Sequence, residues 1–176
     1  LDQLHALLGR RKEVDTLYMA IMNYFELLSQ PELTKRQTGQ MRNLVAIANY
    51  LDNIADTVEN NLITLGEDRL NRNLQIGPEG IQAMQPCIDE VVHTLNTALR
   101  ALAESNMALA GEVIGRKADM KDLASIAIKQ MNKNLVANAP GRLAVLAVET
   151  EQIELLKRLF YFSRRIARET IKWMQE

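Results

Sequence analysis

The stretch RNLVAIANYLDNIADTVENNLITLG, Arg42 to Gly66, carries two patterns at once. Leu44, Ile47, Leu51, Ile54, Val58 and Leu65 recur mostly at alternating three- and four-residue steps, the stripe of a helix packed on other helices. Asp52, Asp56 and Glu59 recur at steps of four and three on a different face, so their carboxylates stack along one side of the same helix. The apolar seam calls for a helical bundle. The carboxylate ladder is either a ligand face or a wet one.

Outward from this stretch the helical period continues in both directions. Leu4, Leu7, Leu8, Val14, Leu17, Tyr18, Ile21, Met22, Phe25 and Leu28 keep helical spacing, with Gly9 in the basic patch Gly9-Arg10-Arg11-Lys12 marking a break before the helix proper. Gln30-Pro31 ends that helix and Pro31 opens the next, which runs from about Glu32 to Leu65 with Gly66 as its C-cap. Arg69 to Gly77 reads as a loop, and Ile76-Gly77-Pro78-Glu79-Gly80 opens a third helix carrying Ile81, Met84, Ile88, Val91, Val92, Leu95, Leu99 and Leu102. The pattern stutters at Glu104-Ser105-Asn106 and resumes to Leu135. Asn138-Ala139-Pro140-Gly141 is a further break before a last helix from Arg142 to about Met174. No strand or hairpin pattern appears, so the expected class is all-α: five long helices on short loops, hence antiparallel bundles.

Composition agrees. The chain has 176 residues, 47% apolar and 24% charged, enough for one domain with a real core. Aromatics are 5%, which with many Ala, Leu and Met favours helix over sheet. A net charge of −1 gives no global argument for nucleic acid or an anionic membrane. The single cysteine, Cys87, excludes an intrachain disulfide. No apolar run approaches the roughly twenty residues that span a bilayer. The sequence starts at Leu1 rather than Met, and is expected to be a fragment or an excised domain.

An internal repeat organises these helices. Leu8 to Leu17, LGRRKEVDTL, resembles Ile114 to Leu123, IGRKADMKDL. Ala48 to Asp56, ANYLDNIAD, has its counterpart in Phe160 to Arg168, FYFSRRIAR. The repeat reading gives two units, residues 1–77 and 78–176, each a three-helix bundle, with the first helix of the first bundle absent. It also aligns charges of opposite sign: where the first half has Asp52 and Asp56, the second has Arg164 and Arg168, and Lys117 with Lys121 make a basic pair on their own helix.

Three constellations bear on chemistry. Asp52, Asp56 and Glu59, with Glu13 and Asp15 on the neighbouring helix, are the oxygen set a hard cation wants, although acidic pairs four apart are common on merely exposed helices. Glu90-Val91-Val92-His93 is a Glu-x-x-His step, but di-metal bundles need two, and the second histidine, His5, lacks the glutamate; an incidental surface pair is expected. Arg158, Arg164, Arg165 and Arg168 beside Phe160, Tyr161 and Phe162 form a basic stretch, read as an interdomain or interchain salt-bridge face, since no nucleic-acid motif accompanies it. No Ser-His-Asp set, phosphate-binding loop, dinucleotide fingerprint or zinc spacing is present, so a non-enzymatic role is expected.

These segments, in this order, resemble the PhoU-like family, in the version found as the cytoplasmic C-terminal domain of bacterial sodium/phosphate cotransporters. The resemblance rests on Glu13 to Tyr18, Leu51 to Asp56, Ile76 to Gly80, Val113 to Lys117, Arg142-Leu143 and Arg165 to Arg168, over nearly the full length. It implies a regulatory domain that controls phosphate uptake through contacts with the membrane transport domain or with a second copy, a homodimer, at the cytoplasmic face of the membrane. A freestanding phosphate-signalling adaptor and a metal-binding bundle are the alternatives. In the family, acidic i, i+4 pairs on adjacent helices hold metal, sometimes iron. By position Asp52 and Asp56 match one pair and Asp15 half of another, with Arg11 in place of its partner; a divalent metal or iron is the cofactor this implies. Lys117, Lys121, Arg164 and Arg168 stand at the equivalent places of the second half, which leaves that half a partner or anion face rather than a cation site.

Overall fold

The computed structural model describes residues 2–29, 32–133 and 141–176, with side chains from residue 11 onward. The chain is all-α. In order it runs α1 (Asp2–Ser29), α2 (Lys35–Asp56), a π-helical segment (Thr57–Ile63), α3 (Thr64–Asn71), α4 (Pro78–Ala103), α5 (Met107–Gly115), α6 (Lys117–Lys133) and α7 (Arg142–Gln175).

Local chemistry fixes most of the boundaries. Thr34 caps α2 with a full capping box: its hydroxyl accepts from the Gln37 amide while the Gln37 side chain accepts from the Thr34 amide. This places the helix start at Lys35, a few residues beyond the start expected at Pro31; Gln30 and Pro31 themselves lie outside the described residues, as do Asn138 to Pro140 of the later break. Pro78 occupies the first turn of α4 after an extended Gly77. The Asn106 side chain accepts from the amides of Ala108 and Leu109 and so starts α5. Gly141, at φ 83, supplies the left-handed turn into α7 that a side chain would disfavour.

Two expected boundaries are corrected, and the stutter in the apolar pattern is resolved. Gly9 does not break α1, which is continuous from Asp2. Gly66 is no C-cap; it sits inside α3, and helix continues to Asn71, where the reading had a loop from Arg69. The stutter at Glu104 to Asn106 is a true break, with Ser105 at φ 50, and a second junction at Arg116 separates α5 from α6. Local helical contacts outvote a single glycine, which costs about 1 kcal/mol in a helix interior.

Packing centres on α7, which lies against α2, the π-helical segment, α3, α4, α5 and α6. One core joins Ala83, Met84, Cys87 and Val91 of α4 to Met120, Ala124, Ala127 and Met131 of α6 and Ile153, Leu156, Leu159 and Phe160 of α7. A second joins Ile47 of α2, Ala98 and Ala101 of α4, Ala110 and Val113 of α5, and Ile166 and Ala167 of α7. Small residues at the crossings let these helices approach closely. The opening seam is confirmed: Ile47 and Leu65 are buried, and Leu44, Leu51, Ile54 and Val58 are half-buried against the cores.

Other expected apolar faces are not covered. Helix α1 packs against α2 and the π-helical segment, with Val14, Tyr18, Met22 and Phe25 of the expected set half-buried, while Leu17, Ile21 and Leu28 of that set, and Tyr24 beside them, stay exposed among the described residues, Leu17 at 63%. On α4 the buried face is Gly80, Ala83, Met84, Cys87, Glu90, Val91, Thr94, Thr97, Ala98 and Ala101, so Ile81, Ile88 and Val92 face outward.

Two buried ion pairs lock the ends of this packing. Glu149 is fully buried and takes both Arg142 Nη atoms, at 2.9 and 3.3 Å, while Arg142 Nη2 also donates to the Met131 carbonyl at 3.1 Å. Gly80 makes room for that carboxylate: a Cβ there would collide with Glu149 Oε1. Glu90, 6% exposed, takes Arg116 Nε and Nη2 at 2.6 Å each and the Thr94 hydroxyl at 3.1 Å. This corrects the surface reading of Glu90. His93 is indeed outside, 3.4 Å from Glu112 Oε1, but Glu90 faces inward and ties α4 to the α5–α6 junction.

Candidate functional site

The acidic ladder and the basic tetrad lie on different helix pairs: α1 with α2, and α6 with α7. In the first pair the structure brings Asp15, Asp52 and Glu59 together around a cation that belongs to the chain. Arg11 Nη2 is 2.9 Å from Asp15 Oδ1 and 3.0 Å from Asp52 Oδ1, and its Nε is 3.3 Å from Glu59 Oε2. Arg11 Nη1 also donates to the Asp52 carbonyl at 3.2 Å. Three carboxylates from two helices thus share one largely covered guanidinium. A planar fork suits this arrangement because it bonds several oxygens at once.

The π-helical segment helps to build the centre. It begins directly after Asp56, and its i→i+5 register turns the helix face by a different amount from an α-helix. Glu59 sits within this segment and meets Arg11 through Nε, while Asp52, still in α register, shares Nη2 with Asp15. Asp56 takes a separate course, accepting a hydrogen bond from the Asn60 side chain. Tyr18 adds a bond across the same pair, its hydroxyl donating to Asn49 Oδ1 at 2.7 Å. Among the described residues no group of three or more His, Cys, Asp or Glu side chains is arranged to hold a metal ion. Of the three expected ligands, Asp15 and Asp52 meet on a guanidinium and Asp56 lies outside the set. Arg11 supplies the positive charge that a cation would bring.

The second pair carries the opposite charge and is open. A groove of about 580 Å³ runs between α6 and α7. Met120, Ala124, Ile128, Phe160 and Tyr161 line it with Ser125, and the cations Lys117, Lys121, Lys129, Lys157 and Arg164 line it as well. Three of the four residues expected on the basic face, Lys117, Lys121 and Arg164, are therefore neighbours on one groove. Arg168 is not among the lining residues, but it lies close enough to push the Arg164 guanidinium below its usual range, after burial, which is the larger cause. Lys129 and Lys157 were missed by the sequence reading. Lys129 was legible as a continuation of the Lys117, Lys121 spacing. Lys157 required knowing which face of α7 turns to α6.

The cations of the groove are held differently. Arg164 is buried and donates from Nε and Nη2 to the Ile114 carbonyl, at 3.1 and 2.9 Å, near the C-terminal end of α5, with its guanidinium 5.9 Å from the Phe160 ring centroid. A cation suits the negative end of a helix. Lys157 pairs with Glu154 at 2.8 Å. Lys117, Lys121 and Lys129 have no carboxylate partner among the described residues. Like charges four apart on a helix destabilise it by about 0.2–0.5 kcal/mol, so Lys117 with Lys121 and Arg164 with Arg168 do not serve helix stability.

No family model, curated protein or solved structure matches this chain. Of the other arginines in the basic stretch, Arg165 lies over the Tyr50 ring at 5.2 Å and 3.4 Å from Glu169, and the exposed Arg158 lies over Phe162 at 5.7 Å.

Proposed function

We propose that this chain is a non-catalytic regulatory domain of a sodium-dependent phosphate transporter, acting on uptake through protein contacts at the cytoplasmic face of the membrane. The observation that carries the reading is the pair of helix faces with opposite roles. The acidic face is neutralised within the chain by Arg11, and the basic face of α6 and α7 is left open to something outside it. A surface of exposed lysines around an apolar floor, three of them without a carboxylate partner among the described residues, suits contact better than chemistry. The resemblance to PhoU-like domains supplies the phosphate context. The segments that carry it fall on the packed α1–α2 pair, at the start of α4, at the α5–α6 junction and at the two ends of α7.

No helix among the described residues is long and apolar enough to cross a membrane, so in this reading the transport path lies in another part of the parent protein. The test is the complete reading frame that contains this sequence. The proposal expects membrane-spanning helices in the same frame. A complete frame without them would remove the transporter assignment and leave the adaptor that acts in trans.

A further inference from the structure

We infer that the groove between α6 and α7 is a docking site for an acidic amphipathic helix of a protein partner. The inference rests on the reading of this chain as a contact module and names the chemistry of that contact.

Length, floor and charge each narrow the occupant. From Lys117 to Lys129 the α6 side spans about 18 Å at the helical rise of ~1.5 Å per residue, the length of about three turns of a partner helix. The floor of Met120, Ala124, Ile128 and Phe160 is apolar and suits a stripe of Leu, Ile, Met or Phe at i, i+3, i+4 and i+7. Cations stand on both sides: Lys117, Lys121 and Lys129 from α6, Lys157 and Arg164 from α7, with Arg168 four residues beyond Arg164 on the same helix. A ligand with one anionic head would need cations at one end of an apolar slot. Rails of cations on both sides of the slot instead match the acidic flanks of a helix lying in the groove.

The rails also divide the work of recognition. Arg164 is fixed by the Ile114 carbonyl and the Phe160 ring, so it offers a preorganised charge. Lys117, Lys121 and Lys129 stand on the exposed side, where they steer an acidic partner and set its orientation. Glu154 is the one carboxylate near the rails that pairs with a lining cation among the described residues.

The test is a titration of the whole chain against a fluorescein-labelled peptide of about fourteen residues, with Leu at i, i+3, i+4 and i+7 and Glu on both flanks, followed by anisotropy. Saturable binding that weakens with added salt is expected. Lys117→Glu with Lys121→Glu should weaken it roughly tenfold or more, and a peptide with Lys in place of Glu only on the flank that meets those two positions should recover binding to that variant. Ser125→Trp, which fills the groove edge without changing charge, should weaken both peptides. Circular dichroism melts of these surface variants, expected to match the parent chain, separate lost contact from lost fold. Failure of the Glu-flanked peptide to saturate, or binding indifferent to the charge reversal, would overturn the proposal. So would preferential binding of vesicles containing phosphatidylglycerol, or of dodecyl phosphate, lost in the same variants, because the rails would then read a lipid headgroup. None of these outcomes bears on the reading frame, so the contact and the transporter assignment fail separately.

Discussion

Glu149 and Arg142 show how much a single pair can hold. The carboxylate is fully buried, Arg142 covers both oxygens, and Gly80 of α4 approaches so closely that no Cβ fits. Arg142→Ala leaves the charge buried and unpaired and should cost about 3–5 kcal/mol in chemical denaturation. Gly80→Ala forces the carboxylate to move, and a loss of about 1–3 kcal/mol is expected in the same measurement. Glu90 adds a dependence on pH. Burial alone would raise its pKa, but the hydrogen bonds from Arg116 and Thr94 and the charges of Arg116 and His93 outweigh burial and hold it below 4.5. A carboxyl with a depressed folded-state pKa contributes stability above its unfolded pKa and loses it as pH falls through the folded value. Comparing parent and Glu90→Gln melts, the stability gap should be widest near neutrality and narrow progressively below pH 4.5. A gap independent of pH would show that Glu90 does not titrate as placed.

At the scale of elements, the α1–α2 pair carries the acidic centre. Arg11→Ala removes the internal cation and leaves Asp15, Asp52 and Glu59 facing one another. The variant should bind Mg²⁺ or Mn²⁺ measurably by calorimetry where the parent chain binds more weakly, because unpaired carboxylates recruit a hard cation. Equal heats for both proteins would show that Arg11 does not stand in for a metal. Much of this was legible beforehand. The period of Leu44 to Leu65 gave the helix and its seam, and the repeat located Lys121, Arg164 and Arg168 as counterparts of Asp15, Asp52 and Asp56, and Lys117 as that of Arg11. The π-helical segment was not legible, since Thr57 to Ile63 satisfy α-helical spacing equally well and only the backbone register separates Asp56 from Glu59. Nor was the inward turn of Glu90, whose partner Arg116 is distant in sequence and shares its face only once α4 and α5 have folded back on one another. The uncovered stripe of α1 was missed for a related reason: periodicity marks an apolar face but not what lies against it.

For the molecule as a whole, one long helix contributes to all three buried clusters, and charge is arranged asymmetrically around it. The acidic side closes on itself through Arg11, and the basic side stays open along α6 and α7. The central proposal is that this open side couples the domain to phosphate transport. The most direct measurement is radiolabelled phosphate uptake by cells carrying the parent transporter with this domain intact, deleted, or bearing Lys117→Glu and Lys121→Glu. The account predicts that deletion changes the response of uptake to external phosphate, and that the folded double variant reproduces that change. Uptake identical in all three would contradict it.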